Sequence, residues 1–166
     1  MRDDDELGGT RFFDAVLDAA AIDALHAASH RVVFPRGAVL MRQGEPGTSM
    51  FTIVSGKVTV SVREPDGEHT VAELGPDDYV GEMSLLTGEP RSATVTAKGK
   101  VVALETPKTA LQPILSRAPH LARRFADMVR DRHAELVQLH EDYARWNSGS
   151  RDPAELAARM TAFYSG

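Results

Sequence analysis

Apolar positions along the chain change their spacing twice. From Thr10 to about Ser29 they recur every three or four residues, at Phe13, Val16, Leu17, Ile22 and Leu25, which predicts a helical segment. Asp18 falls where a second short helix would take its N-cap. The period then shortens. Arg31–Phe34, Val39–Met41, Met50–Ser55, Lys57–Arg63, Thr70–Leu74, Ala93–Thr96 and Lys100–Thr106 are short runs rich in Val, Thr and Ile. Turn signals separate them: Pro35-Arg36-Gly37, Gly44 to Gly47, Ser55-Gly56, Pro65-Asp66-Gly67 and Gly75 to Asp78. Seven or eight strands so spaced predict an antiparallel sandwich or roll.

The helical period returns at Thr106-Pro107, which reads as an N-cap followed by proline in the first turn of a helix at about 107–116. A longer helix is expected over about 119–145, with an apolar stripe of Leu121, Phe125, Met128, Leu136, Leu139 and Tyr143. Arg132 interrupts that stripe. Residues 1–9 read as a disordered acidic tail and Asn147–Ser150 as a linker. Asp152-Pro153 then caps a last short helix bearing Leu156, Met160 and Phe163. The fold class predicted is α+β, an antiparallel, jelly-roll-like β-roll at about 31–106 between helices, with residues 10–145 as one domain.

Composition narrows the function classes. The 166 residues suffice for one domain with a real core. No cysteine is available for a disulfide, a thiolate nucleophile or a metal ligand. No apolar run approaches the ~20 residues that span a bilayer, and the acidic N-terminus is unlike a signal peptide. The expectation is a soluble, cytoplasmic segment without direct membrane contact, whether free or cut from an inner-membrane protein. The net charge of −5, with arginines scattered among acids, argues against nucleic acid as a partner.

Catalytic signals are weak. Of the six histidines only His69 falls in the β region, so an inward-facing metal centre of the cupin type has no ligand set. No serine occupies a nucleophile elbow. The chain is expected not to be an enzyme and to hold no metal or cofactor.

The segment Gly81-Glu82-Met83-Ser84-Leu85-Leu86-Thr87-Gly88-Glu89-Pro90-Arg91-Ser92-Ala93 carries chemistry of another kind. A glycine and one helical turn present backbone amides, and the following turn can fold Arg91 back over them. A guanidinium fork suits two phosphate oxygens, and Ser92 adds a hydroxyl. Glu82 is acceptor-only when ionised and suits ribose hydroxyls. The two charges would sit about 10 Å or less apart on a short looped helix. The residues alone leave two readings open: a surface ion pair, worth under about 1 kcal/mol, or the two ends of a nucleotide site.

This segment resembles the phosphate-binding cassette of cyclic nucleotide-binding domains, the family of the catabolite activator protein, the protein kinase A regulatory subunit and cyclic-nucleotide-gated channels. The resemblance extends over about residues 11–145, and Gly37, Gly44, Gly47, Gly56 and Gly75 match the family's structural glycines. Asp77 departs from the usual glycine before the Asp78-Tyr79 pair, a change that a left-handed aspartate tolerates. The resemblance implies that Arg91 and Ser92 hold a cyclic phosphate, assisted by amides near Ser84 and Ala93 along Gly81-Glu82-Met83. It implies that Glu82 takes the ribose 2′-hydroxyl and that Val60, Val71 and Val80 wall the purine, although each valine also reads as plain roll core. Arg132 would close the long helix over the base, as an arginine does in channel-type members; the bland alternative is a side chain extended to solvent. Ser92 in place of threonine leans toward cAMP over cGMP.

The resemblance leaves the effector open. Too few residues follow Arg145 here for a winged DNA-binding domain. The cassette is closest in character to bacterial channel-type regulatory domains. A stand-alone sensor, a module of an enzyme such as an acyltransferase, and a ligand-independent scaffold are the alternatives, and oligomerisation is left room.

Overall fold

The computed structural model describes residues 11–139 and 152–165. The expected tail at 1–9, the end of the long helix at 140–145 with Tyr143, and the linker Asn147–Ser150 lie outside the described residues, as do the side chains of Leu136 and Leu139.

Helix α1 (Arg11–Asp14) and helix α2 (Ala19–Ala27) lead into the roll. Asp18 caps α2, its Oδ1 accepting from the Ala21 amide at 2.8 Å. Among the described residues eight strands follow: β1 (His30–Phe34), β2 (Val39–Met41), β3 (Ser49–Ser55), β4 (Val58–Glu64), β5 (Gly67–Leu74), β6 (Tyr79–Val80), β7 (Thr94–Ala97) and β8 (Val101–Pro107). They form two antiparallel sheets, in the orders β1-β8-β3-β6 and β2-β7-β4-β5. The predicted α+β roll is the fold observed.

Strand β3 divides the protein into two cores because its side chains alternate between faces. Phe51 and Ile53 point into the roll, where they meet Val58, Val60, Val95, Val101 and their neighbours. Met50 points the other way, into a helical core built around Phe13, Leu25, Leu111 and Phe125. Phe13 and Phe125 are both fully buried and meet edge-to-face at 6.0 Å, pinning α1 to the long helix.

A register shift explains one irregular feature. Val60 pairs with Ala72 but Ser61 pairs with Thr70, so Val71 is the extra residue of a β-bulge. Two consecutive side chains, Val71 and Ala72, are therefore both buried in the roll core.

The return to helix departs from the sequence expectation. Thr106 does not cap a helix: β8 keeps pairing with β3 through Ser49↔Pro107, and buried Thr106 lies 3.1 Å from Ser29 Oγ. Helix α4 (Lys108–Arg117) starts after Pro107, with its first amide bonded to the Thr48 carbonyl at 2.8 Å. Between the sheets and these helices sits α3 (Glu82–Thr87). The long helix α5 runs over Leu121–Leu139, starting two residues after Pro119. The last helix, α6 (Pro153–Ser165), is capped as expected by Asp152, whose Oδ2 accepts from the Glu155 amide at 3.2 Å. Leu156 and Met160 bury into the helical core beside α5.

Candidate functional site

The site is built on the loop from α3 to β7. Gly81 stands at the N-cap of α3 with φ 82°, and Gly88 at its C-cap with φ 76°, so both ends use left-handed backbone that glycine adopts freely. The chain then turns through Glu89-Pro90 and presents Arg91. The Arg91 backbone is fixed by the turn at 44–45: its amide donates to the Glu45 carbonyl at 2.9 Å, and its carbonyl accepts from the Gly44 amide at 2.8 Å.

The Arg91 side chain is buried, only 8% exposed. Its Nη1 donates to the Ser49 carbonyl at 2.5 Å and its Nη2 to Ser49 Oγ at 3.1 Å. Ser49 Oγ in turn donates to Glu105 Oε2 at 2.8 Å, so a serine from β3 and a glutamate from β8 orient the guanidinium. The Phe51 ring lies 5.9 Å from its centre. Burial pushes the Arg91 pKa below its ordinary value, opposed by the negative charges of Glu105 and then Glu82.

Two glycines make room for this guanidinium. A Cβ on Gly47 would come 2.3 Å from Arg91 Nε, and one on Gly81 would come 2.6 Å from Nη1. Gly81, which in the sequence precedes the turn that presents backbone amides, is in the fold also a point of close approach for Arg91.

The other cassette residues divide by face. Glu82 is half-buried beside Arg91's field, and Ser92 is exposed. The Met83 side chain turns into the helical core, and Ala93 into the roll core. The Ser84 hydroxyl is used internally, donating to the Glu89 carbonyl at 2.8 Å. Val60, Val71 and Val80 are all buried in the roll core. Val137 of α5 packs against that same core, a contact the apolar stripe did not single out.

Arg132 does not extend into solvent; its side chain is 18% exposed. It forms an ion pair with Asp78 and lies 5.2 Å from the centroid of the Tyr79 ring. Burial works against its charge, but the Asp78 hydrogen bond and charge outweigh it, and the Arg132 pKa stands above its ordinary value. Asp78 also accepts from the Gly75 amide at 2.9 Å through its other oxygen. Asp77 has φ 73°, the left-handed geometry that an aspartate tolerates.

Sequence reasoning did not find Ser49, Glu105 or Asp78 as partners of the two arginines. Ser49 and Asp78 are polar residues in turn-rich stretches, and nothing local distinguishes them from turn formers. It also passed over one cluster: His69 Nε2 lies 2.8 Å from Asp66 Oδ1 and 3.9 Å from Glu64 Oε2 on the β4–β5 hairpin. These three donors fall within 4.8 Å of one another at a solvent-facing turn.

Comparison with known proteins adds a family match. The profile described as "Cyclic nucleotide-binding domain" matches residues 31–118. A cyclic nucleotide-gated potassium channel of Mesorhizobium japonicum is 40% identical over 113 residues, covering 68% of this chain and 30% of the channel. A CRP-like cAMP-activated global transcriptional regulator of Mycobacterium tuberculosis is 33% identical over 123 residues, covering 74% of this chain and 54% of the regulator. Among solved structures, a cyclic nucleotide-binding domain from Methylobacillus flagellatus superposes with a TM-score of 0.65 at 25% identity, covering 80% of this chain and 84% of that one. The chain thus spans about a third to about half of these curated relatives. No described helix is long and apolar enough to cross a membrane.

Proposed function

This chain belongs to the cyclic nucleotide-binding domain family, and on that premise we propose that it is a regulatory module that takes cAMP, in preference to cGMP, beside Arg91. The seat of Arg91 carries the reading. A buried guanidinium without a bidentate carboxylate partner is costly, and here it is held by one serine in a space kept open by Gly47 and Gly81. Its Ser49 contacts use two of the five guanidinium donors and leave others for phosphate oxygens. Ser92 adds a hydroxyl to the phosphate, with the amides near Ser84 and Ala93. Glu82 accepts from the ribose 2′-hydroxyl. Val60, Val71 and Val80 supply the apolar side toward the base.

The module binds and does not transform its ligand. Helix α5 serves as the lid: Val137 touches the roll core, and Arg132 is set at the turn that leads into β6 and the cassette. A ligand shifts an equilibrium only through contacts that differ between its states, and Arg132 to base with Arg91 to phosphate are those contacts. The preference for cAMP rests on Ser92, a shorter hydroxyl than threonine, and agrees with the cAMP-activated regulator among the relatives. The parent we favour is a bacterial ion channel, on the strength of the channel relative.

Calorimetric titration of cAMP and cGMP into the wild type and Arg91→Ala tests this. Binding by the wild type, tighter for cAMP and lost in Arg91→Ala, is expected. Absence of binding of either nucleotide at millimolar concentration would overturn the reading and leave the scaffold alternative.

A further inference from the structure

Helix α6 touches the cassette at three successive points, all at the end of α3 that runs into Arg91. Tyr164 Oη donates to the Leu85 carbonyl at 2.6 Å, a buried bond across 79 positions of sequence. The Phe163 ring covers Gly88 so closely that a Cβ there would stand 2.6 Å from it. Arg159 Nη2 lies 2.7 Å from Glu89 Oε1.

Each contact answers a need of a six-residue helix. The last four carbonyls of any helix lack intrahelical partners. In α3 the Ser84 carbonyl is taken by the Gly88 amide and the Leu85 carbonyl by Tyr164. Glu89 is a junction: its carbonyl accepts from Ser84 Oγ at 2.8 Å, and its carboxylate accepts from Thr87 Oγ1 at 2.9 Å while pairing with Arg159. The helix itself is held at its outer end by Lys108, whose Nζ donates to the Phe163 carbonyl at 3.1 Å and sits 3.9 Å from the Phe163 ring centroid. Only Pro90 separates Glu89 from Arg91, and proline leaves little freedom in φ.

We propose that Tyr164 and Arg159 are positioning residues of the nucleotide site: α6 clamps the C-terminal end of α3 and thereby sets where Arg91 stands. The inference rests on the cyclic nucleotide reading for its ligand, but the clamp itself is a property of the chain. Arg91 is then braced from both sides, by the 44–45 turn on its own backbone and by α6 through Glu89-Pro90. Because coupling free energies are reciprocal, nucleotide at Arg91 tightens α6 by the same factor that α6 strengthens the nucleotide.

The test compares the 166-residue wild type, Tyr164→Phe, Arg159→Glu, the swap Arg159→Glu with Glu89→Arg, and the exposed control Thr161→Ala. Each is titrated with cAMP by calorimetry, and amide hydrogen exchange over residues 82–91 is followed without nucleotide. Tyr164→Phe keeps the ring and removes one hydroxyl, and should weaken cAMP about five-fold, the ratio typical of one net hydrogen bond. Arg159→Glu should weaken it and the swap recover part of that loss, since Glu89→Arg gives up the acceptor for Thr87, while Thr161→Ala leaves it unchanged. Exchange over 82–91 should quicken in Tyr164→Phe. Unaltered affinity in both Tyr164→Phe and Arg159→Glu overturns the clamp. If the wild type itself binds no nucleotide, the ligand reading fails, and exchange decides the clamp alone: equal exchange in wild type and Tyr164→Phe rejects it.

Discussion

Arg132 of the long helix and Asp78 of the turn before β6, 54 positions apart, form one ion pair that joins the C-terminal helices to the approach of the cassette. Asp78 holds the turn with one oxygen, on the Gly75 amide, and the helix with the other. Movement of α5 against the roll must therefore break or carry this contact, which makes it a physical link between helix position and the Tyr79–Val80 strand that leads to Glu82. With the side chains 18% and 29% exposed, the pair is neither a screened surface contact nor a fully desolvated one.

A double-mutant cycle on Arg132→Ala and Asp78→Ala measures that link. The coupling expected for a half-buried hydrogen-bonded pair is about 1–2 kcal/mol in unfolding free energy. Arg132→Ala should also weaken cAMP several-fold, because the lid loses its charged contact, while the domain stays folded. Chemical denaturation and calorimetry on the same four proteins supply both numbers. Additive single effects with unaltered affinity would reduce the pair to an ornament of the surface.

Gly47 tests the seat of Arg91 without touching the ligand. Its backbone does not lie in the left-handed region, so Gly47→Ala brings no φ strain, only a methyl that would stand 2.3 Å from Arg91 Nε. The guanidinium must move. Affinity for cAMP is expected to fall ten-fold or more, about 1.4 kcal/mol or above. Gly99→Ala, where a Cβ meets nothing within 4 Å, is the control and should bind as wild type. Equal affinities in both variants would show that the position of Arg91 is not what the site depends on.

The roll was legible because its strands are short, β-branched and cut by glycine and proline turns, and because the cassette keeps its small residues in fixed order. The Asp18 and Asp152 caps were legible for the same local reason: one side chain serves its own next turn. Thr106 shows where local rules fail. It has the identity and the following proline of an N-cap, but pairing of β8 with β3 holds it in a strand. The partners of the arginines were illegible because they arise from tertiary pairing: Ser49 stands 42 positions from Arg91, and Asp78 stands 54 from Arg132. No periodicity encodes contacts of that range.

The edge-to-face pair Phe13–Phe125 is the stability anchor between α1 and α5. Both rings are fully buried in the helical core, so truncation leaves a cavity that a packed interior only partly fills. Phe125→Ala is expected to cost about 3–5 kcal/mol of unfolding free energy, read from denaturant midpoints at unchanged slope. Phe125→Leu should cost clearly less. A loss below about 1 kcal/mol for the alanine variant would mean that α1 is not packed on α5 in solution.

Alkaline pH gives a test of the Tyr164 bond that needs no ligand. Burial raises the Tyr164 pKa well above that of an unfolded tyrosine, which is about 10. Well below pH 10 both folded and unfolded chains keep the phenolic proton, and the group's contribution to stability is fully present. Above pH 10 the unfolded chain releases the proton while the folded one retains it, so the unfolded state binds fewer protons and stability falls as pH rises toward the folded value. Tyr164→Phe has no proton to release. Its stability should therefore be lower than wild type at neutral pH, by about 1 kcal/mol for the lost bond to the Leu85 carbonyl. Its decline between about pH 10 and 11 should be shallower, so the two curves converge. Denaturation at a series of pH values measures both slopes, and parallel curves would show that the Tyr164 hydroxyl is not buried against α3 in solution.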